Sequence, residues 1–305
     1  MISTIVLSKN NDDTLDACLR SVVDSLPYDK EVLVVDAHST DNTPNILKKY
    51  DGKIRVVYDK GEGLGWSRNF GVRNATHDII AFVDSDVICE KEHFLKIMNY
   101  FNEHPDIGAL DTSGIHPMIG TKVQRLESLF WATAESGISS QASLRGWSIS
   151  FRRSAFDAVN GFRRGGADDN DFTYKLKKHG VKIASIRTNS WHMPRRTLPE
   201  LIKEMELWGR MGAYLQYQWR SNRVFTRDMM NRRIFRILRN GRVMMFVAYL
   251  ASPITGIKYL RKAKNFQLYL HFIVRQWAWT FGFIQGNFDI AFNHDRYLRA
   301  HLEDV

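Results

Sequence analysis

Hydrophobic and polar residues alternate in blocks along the first two thirds of the chain, and the blocks have the lengths of strands and helices. Apolar, β-rich runs predict four strands, at Ile2–Ser8, Glu31–Asp36, Lys53–Tyr58 and Asp78–Asp84. Helical patterns lie between them, at Thr14–Ser25, Thr43–Lys49 and Gly65–Ala75. Strands and helices that alternate in this way form right-handed βαβ units, so the chain up to about residue 190 is expected to be α/β with a mostly parallel sheet.

The strand that ends at Asp84 carries the most informative chemistry. A continuous apolar run, Ile79–Val83, predicts a buried strand, and Asp84 and Asp86 follow it with one small residue between them. Open α/β sheets bind their ligands at the carboxyl ends of the strands, and alternate residues point the same way. Two such carboxylates suit a Mg²⁺ or Mn²⁺ ion that holds a diphosphate. The alternative is a solvated turn.

Two further polar clusters follow predicted strands. Asp36 ends the second strand and is followed by residues with good N-cap chemistry up to Thr43, so it either contacts a nucleoside or only closes a turn. The glycine-rich stretch Gly61–Gly71 enters a helix with Arg68 in its early turns, which is an arrangement that suits an anionic phosphate. It lacks the Lys-Ser/Thr ending of a nucleoside triphosphatase loop.

Composition excludes several classes of protein. With 305 residues and 44% hydrophobic content, the chain can bury a substantial core, as one large domain or one domain with an appendage. Cys18 and Cys89 offer neither a disulfide framework nor a metal cluster and are expected to be small buried residues of a reducing compartment. Met1–Leu7 shows no signal-peptide pattern, so we expect the catalytic part to lie in the cytosol.

The net charge of +10 is concentrated in one segment. Residues Arg220–Lys264 contain twelve Lys or Arg and one acid, Asp228, so the rest of the chain is nearly neutral. This segment is expected to contact an anionic membrane surface, or else to form a solvated helix face. No RNA- or DNA-reading motif accompanies it, so no nucleic-acid partner is expected.

Four motifs in order resemble glycosyltransferase family 2. They are Ile5-Val6-Leu7-Ser8-Lys9-Asn10, Val34-Val35-Asp36-Ala37-His38-Ser39-Thr40-Asp41-Asn42-Thr43, Gly65-Trp66-Ser67-Arg68-Asn69-Phe70-Gly71-Val72 and Ile80-Ala81-Phe82-Val83-Asp84-Ser85-Asp86. The resemblance continues through Gly161-Phe162, Gly166–Phe172 and Trp191–Arg196, and covers roughly residues 1–215. It implies inverting transfer by an enzyme of GT-A fold.

The resemblance also implies a role for each matching residue on the donor side. Asp36 would contact the nucleoside and Arg68 would lie near the diphosphate. Asp84 and Asp86 match the Asp-x-Asp of the family, in which the first acid leans toward the ribose and the last binds the metal, Mn²⁺ or Mg²⁺. His192 matches a histidine that some members use on the metal or diphosphate side, although a structural histidine is an equal alternative.

On the acceptor side, Asp168-Asp169 occupies the place of the family's Glu-Asp pair, and Asp169 would be the general base. The Asp-Asp pair departs from the usual pattern, which leaves open which acid is the base. Arg195 and Arg196 would stabilise the leaving diphosphate or simply lie at the surface. No Gln-x-x-Arg-Trp motif follows, which argues against a processive synthase. Instead, the run from Arg196 to Arg210 resembles members that add single sugars to lipid-linked or surface glycans.

The last third of the chain predicts a membrane-associating region. We expect a GT-A catalytic domain over residues 1–219 and basic, amphipathic helices over 220–305. Val243–Ile257 is too short for a span and contains Pro253, and Gln267–Gln285 carries His271 and Arg275. Both would form a short hairpin or lie in the membrane interface, where Trp277, Trp279 and Phe281 suit the headgroup layer. The alternative is a helical subdomain.

These expectations combine into one function. The chain would transfer a single sugar from a nucleotide-diphosphate sugar to a lipid-linked glycan or another hydroxyl acceptor, at the cytoplasmic face of the membrane. In the nearest alternative, a polyprenyl phosphate is the acceptor, and because it is already anionic it needs no base. An inactive GT-A scaffold that recruits partners is a third possibility.

Overall fold

A computed structural model of the protein describes residues 1–113, 116–117, 120–135, 144, 146–163, 168–219, 254, 256–257 and 265–292. The chain forms two compact units. The first comprises residues 1–116 and 141–193, and the second comprises residues 117–140 and 194–305. Each is described by itself.

The first unit alternates strands and helices from its first residues. Its strands are β1 (Ile2–Ser8), β2 (Glu31–Asp36), β3 (Arg55–Tyr58), β4 (Ile79–Asp84), β5 (Val87–Ile88), β6 (Ile107–Ser113), β7 (His116–Pro117), β8 (Ile149–Arg152), β9 (Lys182–Arg187) and β10 (Trp191–His192), although Pro117 already belongs to the second unit. Its helices are α1 (Leu15–Asp24), α2 (Thr43–Lys48), α3 (Leu64–Asn74), α4 (His93–Glu103), α6 (Arg153–Ala158) and α7 (Asp168–Lys178). Helix α5 (Lys122–Glu135) belongs to the second unit.

Seven strands form the main sheet, in the order β3-β2-β1-β4-β8-β6-β9. Strands β3, β2, β1 and β4 pair in parallel, and β6 pairs with β9 in parallel. Strand β8 runs antiparallel to both of its neighbours. A second, smaller sheet has the strand order β5-β10-β7. The predicted α/β fold with a mostly parallel sheet is therefore confirmed.

Both faces of the main sheet are covered, which explains the continuous apolar runs of its central strands. On β4, Ile79, Ala81 and Val83 pack into one core together with α1 and α4, whereas Ile80 and Phe82 pack into the other. Helices α3, α6 and α7 contribute to that second core. The two-residue period of a strand thus divides β4 between two buried layers.

The second unit contains α5, α8 (Leu198–Trp219) and a long helix, α9 (Phe266–Phe292). Glycines let α8 and α9 approach closely. A Cβ atom added at Gly209 would lie 1.8 Å from the carbonyl oxygen of Trp279, and one added at Gly282 would lie 1.8 Å from that of Glu206. Any side chain at these two positions would force the helices apart.

Polar side chains of α9 are buried against the other two helices. His271 and Arg275 both contact the carboxylate of Glu127 on α5, and all three side chains are almost fully buried. The Arg275 guanidinium also lies 4.3 Å from the ring centroid of Phe130. Nearer the end of α9, the hydroxyl of Tyr214 donates a 2.7 Å hydrogen bond to Asp289.

Among the described helices, none is both long enough and apolar enough to cross a membrane. The predicted basic segment, residues 220–264, lies almost wholly outside the described residues, and so does most of Val243–Ile257. The predicted division at residue 219/220 therefore stays a prediction. Gln267–Gln285 lies within α9.

Candidate active site

Asp84 and Asp86 lie where β4 leaves the main sheet, as predicted from the sequence. Asp84 is the last residue of β4, and its backbone N–H donates a 3.1 Å hydrogen bond to the carbonyl of Trp147. The Asp84 side chain is 39% exposed, whereas that of Asp86 is 19% exposed. At the end of β4, the Asp84 carboxylate is therefore open to solvent, and the Asp86 carboxylate is more enclosed.

The small sheet brings His192 to Asp86. Strand β10 pairs antiparallel with β5, with His192 opposite Val87, and the N–H of Met193 donates a 2.8 Å hydrogen bond to the carbonyl of Asp86. As a result, His192 Nε2 lies 3.5 Å from Asp86 Oδ1. These two residues are far apart in sequence, and only the pairing of β5 with β10 brings them together.

The carboxylate oxygens of Asp84 and Asp86 fit a hard divalent ion such as Mn²⁺ or Mg²⁺, and His192 adds an imidazole nitrogen. Within the described part of the chain, however, no three His, Cys, Asp or Glu side chains are grouped as a metal site. A protein that supplies few ligands suits an ion that shares its coordination with substrate phosphates and water.

Arg68 is buried beneath this strand end. Its side chain is only 2% exposed, and its guanidinium lies over the rings of Phe82 and Phe162, at 5.7 and 5.4 Å from their centroids. Arg68 Nη2 lies 3.9 Å from Asp84 Oδ1 and donates a 3.4 Å hydrogen bond to the carbonyl of Gly146. The buried guanidinium of Arg68 therefore lies on the interior side of the Asp84 carboxylate and attracts it electrostatically.

Asp169 is the second residue of α7, and its carboxylate is held by the backbone N–H of Gly146. The Gly146 N–H donates a 3.0 Å hydrogen bond to Asp169 Oδ2, while the backbone and side-chain nitrogens of Asn170 donate to Oδ1 at 2.7 and 3.0 Å. One glycine thus joins the predicted base to Arg68. The side chain of Asp168 lies outside the described residues.

Residues 146–148 contact several of the predicted site residues, but the sequence analysis did not identify them. Besides the contacts of Gly146 and the carbonyl of Trp147, the indole ring of Trp147 lies 5.4 Å from the ring of His192. Ser148 Oγ lies 3.2 Å from Nε2 of the fully buried His93, whose Nδ1 lies 3.0 Å from Ser190 Oγ. Burial lowers the pKa of His93 to about 4, so this histidine is neutral at pH 7.

Asp36 is almost fully buried at the end of β2. Its carboxylate accepts hydrogen bonds from the backbone N–H of Ser39 at 2.9 Å and from the Ser39 hydroxyl at 2.6 Å. The Asp36 carboxylate therefore stabilises the turn after β2, whereas its contact with a nucleoside stays a prediction. The ring of Tyr58, 56% exposed at the end of β3, stacks on that of His38 beside this turn, with centroids 5.8 Å apart.

Arg195 and Arg196 belong to the second unit. Arg195 forms a 3.0 Å ion pair with Glu204 of α8. The backbone N–H of Arg196 donates to Glu200 at 3.1 Å, and its carbonyl accepts from the Thr121 hydroxyl at 2.7 Å. Both arginines thus help to fix the start of α8.

The two cysteines are free and buried, as expected. Burial raises the pKa of Cys89 to about 12 and raises that of Cys18 as well, so both thiols stay protonated at neutral pH.

Comparison with known proteins places this site in a family. Residues 3–157, more than half of the chain, match the family model described as "Glycosyl transferase family 2". The protein EpsH of Bacillus subtilis (strain 168), which carries a glycosyltransferase name, is 26% identical over 215 residues, or 63% of this chain and 60% of EpsH. The amylovoran biosynthesis glycosyltransferase AmsE of Erwinia amylovora is 30% identical over 104 residues, or 33% of this chain and 39% of AmsE. The matches thus span less than two thirds of each relative.

Solved structures show the same fold. The mannosyltransferase PcManGT from Pyrobaculum calidifontis, in complex with GDP-Man and Mn²⁺, has a TM-score of 0.64 at 17% identity, covering 94% of this chain and 87% of that one. S. aureus TarS 1–349, in complex with UDP-GlcNAc, has a TM-score of 0.52 at 16% identity, covering 94% and 92%.

Proposed function

The chain belongs to glycosyl transferase family 2, and we propose that it transfers one sugar from a nucleotide-diphosphate donor, with inversion and with Mn²⁺ or Mg²⁺, to a lipid-linked glycan or another hydroxyl acceptor. The transfer would take place at the cytoplasmic face of a membrane. One observation carries the proposal. Gly146 hydrogen-bonds Asp169 with its N–H and Arg68 with its carbonyl, so one backbone segment joins a carboxylate base to the acidic strand end.

Inverting transfer needs a base and a leaving-group site on opposite sides of the reacting carbon. Asp169 is the base in this account, because its carboxylate is fixed by three hydrogen bonds and is half-buried. It would accept the proton of the attacking hydroxyl as the oxygen bonds to the anomeric carbon. A positioned base of this kind contributes roughly 10²–10⁴-fold to the rate.

Asp84, Asp86 and His192 would hold the divalent ion that binds the leaving diphosphate. A divalent ion held there supplies charge neutralisation for the departing nucleoside diphosphate. Arg68 is buried, so its contribution would be to hold Asp84 and Gly146 in place, and the nearby Asp84 carboxylate partly compensates the buried guanidinium charge.

The nucleoside would lie at the ends of β2 and β3. Asp36 stabilises the turn there, and Tyr58 offers an exposed ring on which a base can stack. The donors in the two structural neighbours, GDP-Man and UDP-GlcNAc, are both nucleotide-diphosphate sugars, which supports a donor of this class. Arg195 and Arg196 stay candidates for the diphosphate, in the second unit.

A donor screen tests the proposal. UDP-, GDP- and dTDP-activated sugars are incubated with Mn²⁺ or Mg²⁺ and a membrane-lipid extract, and nucleotide release and labelled lipid are measured. We expect turnover of one donor by the wild type, loss in Asp86→Ala, and wild-type turnover in the control Asp106→Ala, whose side chain is exposed and pairs with Lys182. Absence of turnover and of binding with every donor would contradict the proposal and favour the inactive scaffold.

A further inference from the structure

The outer face of α9 carries a continuous apolar stripe. Its members are exposed by 45–76% and comprise Phe266, Leu270, Trp277, Phe281, Ile284, Phe288 and Phe292. At 100° per residue, all seven lie within an arc of about 80°, along a helix about 40 Å long. Single exposed apolar residues are ordinary, but seven in one row, five of them aromatic, form a binding surface.

The opposite face of the same helix holds its polar residues. His271 and Arg275 contact Glu127, and Asp289 contacts Tyr214, all within the second unit. The stripe itself contains no charged residue. Helix α9 is therefore amphipathic in the reverse of the usual sense. The charged side chains of Arg275 and Asp289 point into the second unit, whereas the aromatic side chains of the stripe point outward. Trp279 is not part of the stripe, since it stacks on Phe283 and packs against Gly212 of α8.

The chain beside the stripe is strongly basic. Arg261, Lys262 and Lys264 precede Phe266 by at most five residues, so even a fully extended chain keeps these cations within about 18 Å of the first residue of the stripe. They are the end of a segment with twelve basic residues and one acid. An apolar, aromatic surface next to a cluster of cations is complementary to the interface of an anionic bilayer.

We infer that α9 lies in the plane of an anionic membrane and inserts this stripe at the boundary between headgroups and acyl chains. This inference rests on the proposed function, because it places the enzyme on the surface that carries a lipid-linked acceptor. It differs from a spanning arrangement, since the charged face of α9 stays against α5 and α8 while only the outer face enters the lipid.

Vesicle flotation tests the inference with the full chain. The wild type is mixed with vesicles of phosphatidylcholine, with or without phosphatidylglycerol, at low and high salt. We expect it to float with the anionic vesicles and to bind them less at high salt, because salt screens the cations. Two double variants, Leu270→Gln/Trp277→Gln and Phe281→Gln/Phe288→Gln, should each bind about tenfold less, since each removes two half-exposed apolar side chains from the lipid.

The control Tyr28→Gln removes an equally exposed aromatic ring from the first unit and should bind as the wild type does. Donor hydrolysis in free solution reports on the proposed function separately, and the double variants should retain it. The inference is overturned if the wild type does not float, if both double variants float like the wild type, or if the stripe substitutions instead dissociate a dimer and leave vesicle binding unchanged.

Discussion

Protonation of His93 is expected to destabilise the first unit in mildly acidic solution. This side chain is fully buried between Ser148 and Ser190, and burial lowers its pKa to about 4, from 6.5 in the unfolded chain. Between these two pH values the unfolded chain binds more protons than the folded one. Stability is therefore complete above about pH 6.5 and is lost as the pH falls toward 4.

The two pKa values set the magnitude of this loss. The lowering of the His93 pKa from 6.5 to about 4 corresponds to about 3 kcal/mol of unfolding free energy once His93 is protonated, and most of this is lost by pH 4.5. This loss is a large fraction of the free energy of unfolding of a typical domain, which is roughly 5–15 kcal/mol.

Urea unfolding, followed by circular dichroism between pH 4.5 and 7.5, measures this effect. We expect His93→Gln to remove about 2–3 kcal/mol of the pH dependence of the unfolding free energy, because glutamine does not titrate. Ser148→Ala is the matched control, since it removes a hydrogen bond but keeps the histidine and so keeps the pH dependence. Equal pH dependence in the wild type and in His93→Gln would refute the reasoning.

Three further substitutions have expected outcomes. Gly161→Ala should lower the free energy of unfolding by about 2–3 kcal/mol in urea, because φ is +65° and the new Cβ would lie 2.5 Å from Asn69 Oδ1. Its control is Gly180→Ala, which has a similar φ of +73° but open space around the new Cβ, and which should lower the free energy of unfolding by only about 1 kcal/mol. Glu127→Gln should lower the free energy of unfolding by about 3–5 kcal/mol, measured by thermal unfolding, since it leaves the buried Arg275 guanidinium without its carboxylate and also removes that carboxylate from His271. An unchanged Tm would contradict this. Tyr58→Ala should raise the KM for the donor about tenfold with little change in kcat, because stacking of a nucleobase on an aromatic ring contributes about 1–3 kcal/mol to binding. An unchanged KM would exclude stacking of the donor base on Tyr58.

The sequence predicted the strands that are continuous apolar runs. Strands β1 and β2 have the predicted bounds, and β4 begins one residue later than predicted, because burial on both faces leaves an uninterrupted hydrophobic signal. Strand β3 begins at Arg55 instead of Lys53. The antiparallel insertion of β8 between β4 and β6 was not predicted, since sheet order depends on pairing between segments that are distant along the chain.

The site was predicted in part. The acids at the end of β4 and Arg68 follow from local pattern alone, and the family resemblance added Asp169 and His192. No local pattern marks Gly146 as the residue between Arg68 and Asp169, because its importance comes from two backbone hydrogen bonds to distant elements. Tyr58 was within reach of sequence reasoning, as an aromatic residue at the end of a predicted strand.

Transfer by Asp169→Asn tests whether Asp169 is the general base. With the donor identified by the screen, the rate of transfer to a hydroxyl acceptor is measured for the variant and the wild type, together with donor binding. We expect a rate loss of about 10²–10⁴-fold with donor binding unchanged, because the amide oxygen of asparagine can still accept the hydrogen bond from Gly146 but the amide cannot take up the proton. Transfer at the wild-type rate by Asp169→Asn would contradict it, and would favour an acceptor that is already anionic, such as a polyprenyl phosphate.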